Sequence, residues 1–177
     1  MEHKGTRLYN IMLPLWLLVF IPSWLWLILI PLNYLIDRVV LRWSLGDMPE
    51  KGLFCRKHTW KICVAGFTSD FIGAMLMLGV FFLGALIGDE SPSAAFFDDV
   101  VGGVGFNPFI HWLAFVIVAA AVAAAGLFIY LLDRWILKKA GLSLEQAKKS
   151  AIRLAVITAP YLFFFPSSII YNTWPVI

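Results

Sequence analysis

Basic residues in this 177-residue chain occur in only three places: the N-terminal tail, the segment Arg38–Lys61 and the segment Arg134–Arg153. All 14 Lys and Arg fall there. The segment Gly88–Asn107 carries none and holds Asp89, Glu90, Asp98 and Asp99 instead. Long apolar stretches separate these patches. Nothing in water demands such sorting, whereas membrane insertion holds the Lys and Arg of short loops on one side of the bilayer. The pattern predicts an all-α integral membrane protein with loops 38–61 and 134–153 cytoplasmic. Loop 88–107 and the C-terminus then lie outside, and the plasma (inner) membrane is the expected location.

Composition points the same way. Hydrophobic residues make up 61% and charged residues 14%, against roughly 45–50% and 25% in an average soluble domain. A soluble domain of this size keeps much of its surface wet and has no place for so much apolar area. The net charge of +3 belongs to the loops beside anionic lipid, so it does not point to nucleic acid.

Four membrane segments are expected: about 9–36, 61–88, 108–132 extending to 140, and 153–171. Each reaches the roughly 18–20 residues that cross the hydrocarbon. Together they form one transmembrane domain over 1–177. The first stretch contains Pro14, Pro22 and Pro31 and reads either as one Pro-kinked crossing or as a re-entrant hairpin. A single crossing leaves Lys4 and Arg7 outside, against the charge rule. The hairpin needs irregular backbone shielded by protein or water. Asn107-Pro108 suits the start of the third helix, and Gly141 its end. Ser143 with Gln146 has the spacing of a capping box for the fourth. Trp43, Trp60 and Trp135 fall at the basic ends of the segments, Trp112 and Trp174 at the opposite ends, where indoles prefer the headgroup layer. The apolar run from Tyr9 is too long for a cleavable signal and lacks a small-residue cleavage site.

Asp70 is the sharpest candidate for chemistry. It lies about nine residues, roughly 13 Å at the helical rise, inside the basic end of the second segment. A carboxylate at that depth must be protonated, paired or turned toward protein or water. Ser69 adjoins it, and Thr158 and Tyr161 of the fourth segment lie at matching depth as hydrogen-bond donors; Asn33 and Ser23 are donors available from the first. Asp37 and Asp133 each precede an arginine at a segment end and read as local charge balance. His111 reads as interfacial. The acids of 88–107 read as a solvated loop, or as a mouth that gathers cations.

Small residues at Gly66, Gly73, Ala119, Ala123 and Gly126 form an expected helix-packing seam, since they let backbones approach closely in lipid. A cytoplasmic basic surface is expected from Arg56, Lys57, Lys61, Lys138, Lys139, Lys148 and Lys149. Cys55 and Cys63 are too few for a disulfide framework and, with His58 alone nearby, too few for a structural zinc site. They read as reduced thiols, with Cys55 open to acylation. No cofactor and no catalytic constellation is found.

The run Gly103-Val104-Gly105-Phe106-Asn107 resembles the selectivity filter of potassium channels, where a Thr-Val-Gly-Tyr/Phe-Gly run presents carbonyls to the ion. It departs at both ends, with Gly103 for the threonine and Asn107 for the last glycine. A flexible glycine-rich connection is the plainer expectation. The leading functional expectation is a structural, sensor or accessory subunit. It is homo-oligomeric, embedded in lipid, and docks a cytoplasmic protein partner or anionic lipid through its basic loops. The alternative is a small cation or proton channel or transporter that uses Asp70.

Overall fold

A computed structural model describes residues 14–21, 24, 26–87, 93–167 and 169 of the chain. The tail with Lys4 and Arg7, together with Pro22, Ser23, Asp89, Glu90 and Trp174, lies outside the described residues. The described residues are all helical or connecting, without strands. Five α-helices follow one another: α1 (Trp26–Ser44), α2 (Lys51–Ile87), α3 (Ala94–Phe106), α4 (Trp112–Lys139) and α5 (Leu144–Thr158). Short 3-10 turns at Leu15–Val19, Pro108–Ile110 and Tyr161–Phe164 complete the order.

Two of these helices are long and apolar enough to cross a membrane, over Lys51–Gly84 and Trp112–Lys139. The expected second segment therefore begins ten residues earlier than its apolar run, because α2 opens at Lys51 and runs 37 residues. At ~1.5 Å per residue it is about 55 Å long, well beyond the hydrocarbon thickness. Polar Arg56, Lys57 and His58 thus ride on the same helix as the apolar residues that follow.

The fourth segment is not one spanning helix. α5 has 15 residues and ends at Thr158, where Pro160 cannot donate the next helical hydrogen bond. The chain then turns through Tyr161–Phe164. The first segment is likewise divided, into Leu15–Val19 and α1, with Pro31 accommodated inside α1. Its described residues run in one direction beside α2. Trp16 packs on Phe81, Phe20 on Phe71, and Trp26 stacks on Phe67.

The segment 94–106 is a helix and not a loop. Val100, Gly103, Val104 and Gly105 are buried against α2 and α4. Gly102 to Phe106 form the last turn of α3, so the backbone there is helical and takes neither a filter-like extended form nor that of a flexible connection. Gly103 and Gly105 are small because a side chain would collide with Ala114 and Phe81. The indole N–H of Trp16 donates to the Val104 carbonyl at 3.1 Å, tying the N-terminal piece to α3.

At the basic end α1, α2, α4 and α5 pack as a ring in which each touches two neighbours. The turn between α4 and α5 is built as expected. Gly141 takes φ +99°, the conformation glycine adopts without strain, and the Leu142 amide donates back to the Leu137 carbonyl at 3.2 Å. Ser143 Oγ accepts from the Gln146 amide. The capping box is half made, because the Gln146 side chain donates instead to the Leu45 carbonyl across the bundle at 3.5 Å.

Two apolar cores result. One joins Val40, Leu41, Leu45, Ile62, Leu137 and Leu154 at the basic end. The other joins Trp16, Met77, Val104, Val118, Val122 and Phe163 at the opposite end. Between them the buried positions are mostly small or polar: Cys63, Ala65 and Ser69 on α2, Ala125 and Asp133 on α4 with the large Ile129 between them, and Ser150 and Ala151 on α5.

Candidate functional site

That middle layer gathers three carboxyl groups from three helices. The buried stripe of α4 runs Ala114, Val118, Ala121, Val122, Ala125, Ile129, Asp133, Leu137, so Asp133 occupies a position that the helical period turns inward. Its residue is 0% exposed, and neither carboxyl oxygen has a hydrogen-bond partner. Asp37 falls one turn before Val40 and Leu41 on the inward face of α1 and is 4% exposed. Asp70 follows buried Ser69 on α2, and its Oδ1 is buried without a partner.

Helix register orders these groups along the bundle. A Cβ on Gly73 would lie 3.0 Å from the Ala121 carbonyl oxygen and 3.1 Å from the Ala125 Cβ, so α2 and α4 touch there. Counting equally back along α2 and forward along α4 places Cys63 level with Asp133. The close approach of Gly126 to Ala155 and Ala159 places Ser150 at the same level. Ser150 is fully buried, and its Oγ too has no partner. Asp70 is seven residues beyond Cys63, about two turns or ~10 Å deeper. Asp37 lies within electrostatic range of Asp133, Asp70 and Cys63. The acids are thus staggered along the bundle.

Asp37 lies one residue past the first apolar stretch, in the middle of α1, and is almost fully shielded from solvent. An unpaired ionised carboxylate sealed from water is so unfavourable that such a group neutralises instead. Among the described residues, no three His, Cys, Asp or Glu side chains converge closely enough to hold a metal ion. The layer holds separate carboxyl groups, each on its own helix.

Several expected partners go elsewhere. Thr158 Oγ1 donates to the Leu154 carbonyl at 2.9 Å, and the Tyr161 hydroxyl donates to the Val156 carbonyl. Ser69 Oγ donates to the Ala65 carbonyl at 2.8 Å. None of the three reaches Asp70. Asp37 and Asp133 do not serve as surface charge balance, since both are buried. Arg134 turns to the hydroxyl and ring of Tyr130 instead. Of the small-residue seam, Gly73 packs on α4 and Gly126 on α5, while Gly66 faces open space and Ala123 is exposed. His111 caps α4, its Nδ1 accepting from the Leu113 amide at 3.2 Å.

The basic residues remain on the surface. Arg56, Lys57, Lys61, Lys138, Lys139, Lys148 and Lys149 are all exposed. Lys139 lies over the Trp135 ring at 3.9 Å, and Arg153 over the Trp43 ring at 4.3 Å. Comparison of the chain with family models, curated proteins and solved structures found no match.

Proposed function

We propose that this chain is a small multi-pass membrane protein that passes protons through the carboxyl layer of Asp37, Asp70 and Asp133. It works as a proton channel or proton-coupled transporter, with its basic end in the cytoplasm. One observation carries the reading: Asp133 is fully buried and both of its oxygens lack partners. A carboxyl retained only for bundle stability gains by hydrogen bonding or pairing, and this one does neither. Its position between two apolar cores separates it from bulk water at both ends, as a controlled proton site requires. Asp37 and Asp70 extend the layer over about two helical turns.

The test is proton flux into liposomes under an imposed potassium diffusion potential, read with an entrapped pH dye. The wild-type protein is expected to acidify or alkalinise the lumen faster than empty liposomes. Asp133→Asn and Asp70→Asn are expected to fall to the background rate while keeping their helical content and detergent elution volume. Wild-type flux at background, or full flux in both variants, would overturn the reading.

A second reading, that of an accessory subunit, rests on the basic surface. Exposed lysines and arginines share the same helix ends as Trp43, Trp60 and Trp135, all exposed. Cations and indoles together suit the headgroup layer and docking onto anionic lipid or a cytoplasmic partner. Under this reading the basic surface carries the function and Asp70 does not. Homo-oligomeric assembly accompanies either reading, with Gly66 and Ala123 left free for a second copy; particle mass in nanodiscs tests it.

A further inference from the structure

A cleft of about 610 Å³ opens at the basic end, between the last turn of α1 and the first turns of α5. Trp43, Ser44, Leu45 and Gly46 line it from α1 and the turn after it; Ser143, Glu145, Gln146, Lys149 and Arg153 line it from the start of α5. Two hydrogen bonds adjoin the cleft. Gln146 bridges to the Leu45 carbonyl, and buried Ser44 Oγ donates to the Leu41 carbonyl at 2.7 Å. Lys149 and Arg153 stand four residues apart and so share one face of α5. The Arg153 guanidinium lies over the indole of Trp43, which fixes its plane while its N–H edges remain available. A planar guanidinium and a nearby ammonium are the usual recognition pair for a phosphate group.

We propose that this cleft binds the phosphate headgroup of an anionic phospholipid. The lipid source follows from what adjoins the cations. Farther along α5, Ile152, Val156 and Ile157 are exposed apolar side chains, a surface suited to an acyl chain and wasted on a free anion. Exposed Trp43 marks the headgroup level at the other wall. This inference rests on the membrane reading above and on its accessory-subunit form in particular, and it names the lipid and the place.

Nanodiscs offer the test. The purified protein is titrated with phosphatidylglycerol against a phosphatidylcholine background, and retained lipid is counted by native mass spectrometry. Inorganic phosphate serves as the headgroup-only probe. Wild-type protein is expected to retain phosphatidylglycerol over phosphatidylcholine, and phosphate alone is expected to compete only weakly. Lys149→Gln is expected to weaken retention about fivefold and Lys149→Gln/Arg153→Gln more than additively over the single change, following the usual gain per basic residue at an anionic surface. Lys148→Gln, on the basic surface but not lining the cleft, should weaken retention less than Lys149→Gln does. Should Arg153→Gln disturb folding through loss of its indole contact, Lys149→Gln alone decides. Equal retention by Lys149→Gln and Lys148→Gln, or full displacement by inorganic phosphate, would overturn the assignment. A further variant with Arg56, Lys57, Lys61, Lys138 and Lys139 all changed to Gln separates the two levels. If it loses anionic lipid while Lys149→Gln does not, the cleft is wrong and the basic-surface reading stands. If neither loses it, both fall.

Discussion

Gly73 of α2 faces the backbone of Ala121 in α4 so closely that the first carbon of any side chain would lie 3.0 Å from the Ala121 carbonyl oxygen. The obstruction is main chain, which cannot rotate away, with the Ala125 Cβ and the Phe163 ring each at 3.1 Å. Gly73→Val is therefore expected to destabilise the bundle by about 1–3 kcal/mol, the usual range for overpacking. Gly66→Val, on the same helix but facing open space, should leave the monomer's stability unchanged. Unfolding in mixed micelles, followed by circular dichroism, compares the two. Equal stability of both variants would contradict the packing described.

Asp133 sets stability against function. A buried polar group without partners costs about 1–3 kcal/mol, which an apolar replacement of similar size removes. Asp133→Leu is thus expected to raise the unfolding midpoint while abolishing proton flux. A drop in both would mark the carboxyl as structural.

Trp16 joins a buried 3.1 Å hydrogen bond to an edge-on contact with Phe81. Trp16→Phe keeps the ring but orphans the Val104 carbonyl, and about 1–3 kcal/mol of destabilisation is expected for a buried acceptor left unsatisfied. Limited proteolysis near residue 20 should accelerate with it if the N-terminal piece is held by this bond.

The helical class, the two longest helices and the α4–α5 turn could be read from apolar length and local signals at Gly141 and Ser143. Boundaries were less legible where charge and helix coincide, as at Lys51–Lys61: Arg56 and Lys57 suggested a loop, but nothing in them breaks a helix. Pro160 is a stop signal inside the expected fourth segment, and the expectation of an unbroken span takes no account of it. Gly102, Gly103 and Gly105 suggested flexibility, yet tight packing against Ala114 and Phe81 keeps the segment helical.

Within the candidate site, depth alone exposed Asp70, while Asp37 and Asp133 passed as surface charges because each precedes an arginine. A signal was available. Asp133 continues the four-residue spacing of Ala125 and Ile129 and precedes Leu137 by one turn, so the helical period turns it inward. The partners of Asp70 were not legible, since Thr158 and Tyr161 had nearer carbonyls on their own chain segment.

The separation of the two apolar cores has a mechanical consequence. Each end of the molecule is clamped by its own knot of large side chains, whereas the waist is spanned by α2, α4 and α5 mainly through alanines, serines and carboxyls, with Ile129 the large side chain among them. Under the proposed proton reading, a charge gained or lost at the waist acts where few bulky side chains stand between the helices.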